Sequence, residues 1–349
     1  MKGFFLLTFF LSISYLYPGN INGNHAPAEH GMVNDEFASG IPRPYYRAGE
    51  DVSFAFSAAY TFWVPYMDAL NIAYSNAPDF SVYDLEVGNV IQPITSGKSG
   101  FQIQAEKYLH FDDWRWCIGY MWFYNPNSLS DKSYEMPFVY KSPWIESSFL
   151  DLADVSSSFS NQFNSLKGTL DRSLALSHNF NFTPFIGIIG AWETSRLNAE
   201  IAIQRTYDDF EVLGMRNTMY WWCIGPYSAL ELSCRFFKGV SLFLKTGYSI
   251  NLAKRDVYQF QNNGEYDTPN VRVPIQDFQD HVWAVEPMCS GQLGMKLDYS
   301  IKRCAFFFDI SWELQTWFRH MGFLPANDRM GLRGNYSMQG LTASFGFVL

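Results

Sequence analysis

No internal stretch of this chain approaches the ~20 consecutive apolar residues that a membrane-crossing helix needs. Charge is also sparse. Charged residues make up 17% of the 349 positions, against about 25% in an ordinary soluble domain. Positive charge is the scarcer kind, with 25 Lys and Arg against 34 Asp and Glu and a net charge of -9. No basic stripe offers itself to a phosphate backbone, which argues against nucleic acid as a partner. The five cysteines, Cys117, Cys223, Cys234, Cys289 and Cys304, form no CxxC or other metal-ligand spacing. There is no HExxH and no glycine-rich phosphate loop, so neither metal nor cofactor is expected.

Aromatic residues are plentiful instead, at 18%, including 32 Phe and 21 Tyr. They sort by parity. Between 287 and 314, Leu293, Met295, Leu297 and Tyr299 alternate with Gln292, Lys296 and Asp298. After the turn at Lys302-Arg303, Phe306, Phe308, Ile310, Trp312 and Leu314 alternate with Asp309, Ser311 and Glu313. Successive strand side chains point to opposite faces, so a period of two gives each strand one apolar and one polar face. Such a face meets either a protein core or lipid. The same alternation recurs at 52–64, 101–105, 114–122, 230–236, 240–250 and 341–349. Across the clearest of these strands no charge falls on the apolar parity. Both settings ask for that, because a Lys or Arg facing mid-bilayer costs about 2–4 kcal/mol and a soluble core excludes charge too.

The connections discriminate further. Long polar segments near 76–98, 125–160, 207–217, 253–283 and 319–336 alternate with short turns near 110–113, 173–180, 237–239 and 302–303. Outer-membrane barrels show this asymmetry, with short periplasmic turns and long external loops. The expectation is an all-β, antiparallel up-and-down transmembrane barrel of about ten strands, with 182–206 as one long strand. If Glu193-Thr194-Ser195 were a turn, the count would rise to twelve. Trp63, Tyr66, Trp114, Trp122, Tyr124, Trp221, Trp222 and Trp317 fall near strand ends, as interfacial girdles require. At the N-terminus, Met1-Lys2 precedes an apolar run from Phe4 to Leu16 and then Pro18-Gly19. This reads as a signal peptide over 1–23, cleaved between 19 and 28. Residues 24–349 then form one barrel domain, with the barrel proper starting at about 50.

An odd cysteine count in an exported chain leaves a thiol unpaired or bonded to a neighbouring chain. Cys234, Cys289 and Cys304 share the apolar parity of their strands, whereas Cys117 and Cys223 do not, and a bridge between these two is one option. Acid–base chemistry has few candidates: Asp280-His281 and His320 fall in expected external loops, without an activated nucleophile or ordered triad. No enzyme is expected. The polar strand faces suggest a lumen wall in which Lys245, Lys296, Asp298, Asp309 and Glu313 line a path and tune ion selectivity. Leu293, Leu297, Phe306, Phe308 and Ile310 are the corresponding candidates for lipid contact.

Several words of the sequence resemble one family. Phe62-Trp63 with Leu70-Asn71-Ile72-Ala73-Tyr74 resembles the opening motif of the major-outer-membrane-protein-like pore formers of Legionella and chlamydia-related bacteria. Gly100-Phe101-Gln102-Ile103, Asp112-Asp113-Trp114 and Gly119-Tyr120-Met121-Trp122-Phe123-Tyr124 follow in the same order. So do Leu170-Asp171-Arg172, Thr183-Pro184-Phe185, Trp222-Cys223-Ile224-Gly225-Pro226, Trp312-Glu313-Leu314 and Met338-Gln339-Gly340-Leu341. The chain departs from the pattern in lacking a glycine before Arg172 and in ending on Leu349. The resemblance implies an outer-membrane porin that lets ions and small hydrophilic solutes diffuse passively. Its partners would be outer-membrane lipid, those solutes, and the barrel-assembly machinery through the C-terminal strand. A homo-oligomer or disulfide-linked neighbours would also be compatible. The alternative is a structural or adhesive barrel with a largely filled lumen and interacting loops.

Overall fold

Ten long strands close on themselves. The computed structural model describes residues 54–67, 73–76, 88–91, 96–109, 114–133, 140–141, 151–177, 179–206, 209–237, 239–265, 272–301, 304–323 and 332–348. Among these there is no helix. The strands are β1 (Phe54–Met67), β2 (Ala73–Asn76), β3 (Gly88–Ile91), β4 (Lys98–Tyr108), β5 (Trp114–Ser133), β6 (Tyr140–Lys141) and β7 (Asp151–Arg172). They continue with β8 (Leu174–Ala175), β9 (Phe180–Thr206), β10 (Asp209–Phe237), β11 (Val240–Glu265), β12 (Arg272–Ile301), β13 (Cys304–Phe323) and β14 (Leu332–Val348). The order β10-β11-β12-β13-β14-β1-β4-β5-β7-β9 is closed by the β9–β10 pairing, and every pairing is antiparallel. Short β8 pairs on β9, and β3-β2-β6 form a separate small sheet. The stretch 182–206 lies within the single strand β9, so Glu193-Thr194-Ser195 makes no turn.

The register fixes the barrel's width. Ala55 pairs with Glu106, and the row continues through Cys117, Thr169, Gly187, Tyr227, Ser249, Met288 and Trp317 to Tyr336. Ala55 itself pairs with Val348 on that same β14, twelve positions away. One circuit therefore climbs twelve residues, and the strands tilt to accommodate it. Ten strands ~4.8 Å apart and tilted ~40° would enclose a cylinder about 20 Å across between backbones were its section circular.

Side-chain alternation now has a direction. On β1, Phe54, Phe56, Tyr60, Phe62, Val64 and Tyr66 are exposed, while Ala55, Thr61, Trp63 and Met67 are buried. Leu293, Leu297, Phe308 and Ile310 lie on the same exposed outer face, and half-buried Phe306 shares their parity. This outer face is apolar because it meets lipid rather than core. Leu293 lies near the middle of the apolar band, so Leu293→Arg is expected to destabilise the barrel by about 2–4 kcal/mol. Denaturant unfolding in lipid vesicles reads the effect; a variant as stable as the parent would argue against lipid at this face.

The strands run well beyond the bilayer. β12 has 30 residues and β10 has 29. At ~40° tilt, 30 residues climb about 75 Å, three times the ~25 Å apolar band. The connections at the other end are short: Gly239, with φ 80, turns β10 into β11. The excess therefore projects from the long-loop end. Much of what reads as external loop in the sequence, including most of 253–283 and the ends of 125–160, is strand. Above the bilayer the outer face meets water, so apolar–polar alternation fades while the hydrogen-bonded ladder continues. The expected signal segment and the barrel start at about 50 lie outside the described residues.

Candidate functional site: an aromatic plug above a charged chamber

The interior has two levels. The upper level is a plug. Trp63, Phe123, Phe163, Trp221, Trp317 and Tyr336 are each 2% exposed or less and belong to one contiguous apolar cluster. Phe163 on β7 and Trp317 on β13 occupy strands five steps apart in either direction round the ten-stranded ring. Their ring centroids are nevertheless 5.7 Å apart, so they meet across the lumen. Phe163 also lies 5.7 Å from Tyr336 and 6.2 Å from Trp221, and Trp221 meets Trp317 edge-on at 5.3 Å. Trp63 and Phe123, 6.2 Å apart, fill the side towards β4. Trp63, Trp221 and Trp317 thus do not join an interfacial girdle. They fall on the inward parity, and only their neighbours such as Phe62 and Trp222 face out.

A polar cluster is packed into the same layer. His320 is fully buried, with Nε2 2.6 Å from Glu193 Oε2 and Nδ1 3.6 Å from Glu286 Oε2. Glu286 pairs with Arg255 and accepts a hydrogen bond from Trp221 Nε1 at 2.9 Å. Glu193 accepts from Asn161 Nδ2 at 2.5 Å and from the Ser195 hydroxyl. Tyr336 OH donates to Asn161 Oδ1 at 3.1 Å, again spanning the lumen from β14 to β7. His320 reaches this position through an irregularity in β13. The β13–β14 register shifts between Trp317 and Met321, and Arg319 has φ 58. Four steps along β13 match two along β14, and these extra residues let both Trp317 and His320 face inward, as a β-bulge does. Arg255 Nη2 donates to the Arg319 carbonyl at 2.8 Å, holding the bulge in place. His320 is therefore a lumen residue on a strand rather than a loop residue. His281 is also on a strand, on the outer face of β12, where it bonds Asp256 at 2.5 Å.

Below the plug lies a chamber of about 1170 Å³ that reaches the short-turn end, where Ser173, Leu174, Ala175 and Gly239 line it. Lys245, Lys296, Asp298, Asp309 and Glu313 all line it, together with Arg115, Lys167, Glu106, Asp171 and Glu231. Most of this charge is paired along the wall. Arg115 binds Glu106 and Asp171, both at 2.9 Å. Lys245 lies 3.8 Å from Glu231, and Lys296 lies 3.7 Å from Asp298. Arg115 and Lys167 share the inward parity of polar neighbours such as Thr169 and Asp171, the signal that would have singled them out in the sequence. Among the described residues no three His, Cys, Asp or Glu side chains are grouped to hold a metal.

Cys117 and Cys223 are both free and buried. β7 and β9 separate their strands. Three strand spacings of ~4.8 Å far exceed the ~7 Å between Cα atoms that a disulfide tolerates. No bridge joins them.

A closed ten-stranded antiparallel barrel with a lipid-facing exterior defines a transmembrane outer-membrane β-barrel protein. The family described as Legionella pneumophila major outer membrane protein precursor matches residues 48–349, and the chain belongs to that family. The protein resides in the outer membrane. Similar solved structures include the outer membrane protease OmpT from Escherichia coli, at 10% identity and TM-score 0.41, covering 85% of this chain and 96% of that one. A Pseudomonas aeruginosa FadL homologue matches at 9% identity and TM-score 0.28, covering 85% and 90%. A major outer membrane protein from Thermus thermophilus matches at 9% identity and TM-score 0.24, covering 69% and 98%. Among curated proteins, none matches the chain.

Proposed function

We infer that the protein is a gated pore former: ions and small hydrophilic solutes cross it when the aromatic plug shifts, and the lumen is shut in the form described. The observation that carries this reading is the charged chamber, which runs from the short-turn end up to the plug, where the crossing of Phe163 and Trp317 closes it. That layer is imperfectly satisfied. Arg255 Nε and Asn251 Oδ1 are buried without a hydrogen-bond partner in the protein. Each such group costs about 1–3 kcal/mol, which water entering an open form would recover.

Planar-bilayer recording tests the reading. The parent protein is expected to give brief, infrequent openings and not the steady current of a permanently open porin. Lys296→Glu and Asp309→Lys are each expected to shift the reversal potential in a salt gradient while leaving the folded fraction unchanged. A folded parent protein that never opens at any voltage would instead favour the second reading. That reading, a filled structural or adhesive barrel whose projecting strands meet partners, draws its support from the plug itself.

A further inference from the structure

Four ionisable side chains are sealed into the plug, and their charges balance only if the histidine among them holds a proton. Among the described residues, the buried charged or ionisable groups of this kind are Glu106, Asp171, Glu193, Arg255, Glu286 and His320. Glu106 and Asp171 share Arg115 in the chamber wall below. The other four form a single cluster in the aromatic layer. His320 Nε2 lies 2.6 Å from Glu193 and Nδ1 lies 3.6 Å from Glu286, while Arg255 pairs with Glu286. Two carboxylates thus face one permanent cation, the guanidinium, and one imidazole.

The elements packed around this cluster bring no further charge. β7 contributes Asn161, which bonds Glu193, β9 contributes Ser195 beside Glu193 itself, and β10 contributes Trp221. Tyr336 on β14 donates its hydroxyl hydrogen to Asn161 and is neutral. Arg319, next to His320 in the chain, is exposed, and its carbonyl rather than its side chain meets Arg255. A protonated His320 therefore makes the layer neutral. A neutral His320 leaves one net negative charge sealed among aromatic rings. An unmatched charge is costly to bury, whereas water entering an opened layer would solvate it.

The same side chain is part of the seal. The His320 ring centroid lies 4.3 Å from that of Trp221, 5.4 Å from that of Tyr336 and 6.4 Å from that of Trp317. The imidazolium is thus packed against the rings that close the lumen, and its charge acts on their packing directly.

We propose that His320 is a proton switch on the plug: protonated, it holds the aromatic layer shut, and loss of the proton at alkaline pH releases it. Closure is then linked to a proton on His320, so acid favours the shut form and alkali weakens it. The switch rests on the pore reading, because it governs the openings of that same layer.

Planar-bilayer recording from about pH 6 to about pH 9 tests it. The parent's opening frequency is expected to rise about tenfold or more across that range. His320→Gln removes the titrating charge and should open as often at the acid end as at the alkaline end. Glu193→Gln removes one carboxylate, so a neutral His320 suffices and the variant should stay quiet at alkaline pH. Simple damage to the hydrogen-bond network would instead make that variant open more. His281→Asn, on the outer face, should keep the parent's pH response. Gel mobility before and after boiling reports which variants are folded; should His320→Gln not fold, Glu193→Gln decides alone. Parent openings that do not vary with pH would overturn the switch and leave the pore reading standing. Absence of openings at every pH, in the parent and both plug variants, would overturn the two together. Glu193→Gln opening more often than the parent at alkaline pH would contradict the charge balance on which the switch depends.

Discussion

Replacing Phe163 and Trp317 together with alanine is expected to convert brief openings into a stable, ohmic conductance in planar bilayers. These rings meet across the full width of the lumen at 5.7 Å, and among the described residues no backbone crosses the barrel to take their place. Removing both opens a water-wide gap where the plug meets the chamber, at the one crossing that joins opposite walls through these two rings. Each truncation also costs about 3–5 kcal/mol of packing when fully buried. The continuous ladder of ten strands should hold the barrel closed on itself despite that loss. Folded double variant with no more current than the parent would show that other side chains seal the layer.

The largest stability effect expected of a single charge removal lies beside those rings. Arg255 and Glu286 are a buried ion pair, with side chains 7% and 0% exposed. Arg255→Met leaves Glu286 with Trp221 Nε1 and His320 but without its main cation. Breaking such a pair from one side costs about 3–5 kcal/mol, because the remaining charge stays buried. The double variant Arg255→Met with Glu286→Leu removes that charge as well and is expected to recover most of the loss. Urea unfolding in lipid vesicles measures both. A single variant as stable as the parent would mean that His320 alone neutralises the two carboxylates.

The lipid-facing wall was legible because a membrane imposes one rule on alternate residues. Leu293, Phe308 and Ile310 obey it, and so does the strand through Glu193, where parity places Glu193 and Ser195 inward with Ile189 and Ala191. The rule ends where the membrane ends. Polar residues stand on both faces at 254–262, and the sequence of 263–281 shows no clean period of two, so the upper strands read as loops although their ladders continue. The plug was hidden for a different reason. Its tryptophans adjoin outward aromatics, as Trp221 adjoins Trp222 and Trp63 adjoins Phe62, and unbroken aromatic pairs conceal which member turns inward. His320 was beyond parity altogether, since its inward direction depends on the bulge at Arg319. The charged chamber was half legible: Lys245, Lys296, Asp298, Asp309 and Glu313 lay on strands with clean alternation, while Arg115 and Lys167 lay among mixed neighbours.

Sided thiol labelling tests the two-level interior most directly. The five native cysteines are replaced by alanine, and Gln292→Cys places one thiol in the chamber wall. Barrels are reconstituted in vesicles in a single orientation and exposed to a charged, membrane-impermeant thiol reagent from either side. If the plug closes the lumen, the thiol is labelled rapidly from the short-turn side and about tenfold or more slowly from the long-loop side. Phe163→Ala with Trp317→Ala should then remove the difference. Equal, rapid labelling from both sides of the parent barrel would contradict a closed aromatic layer.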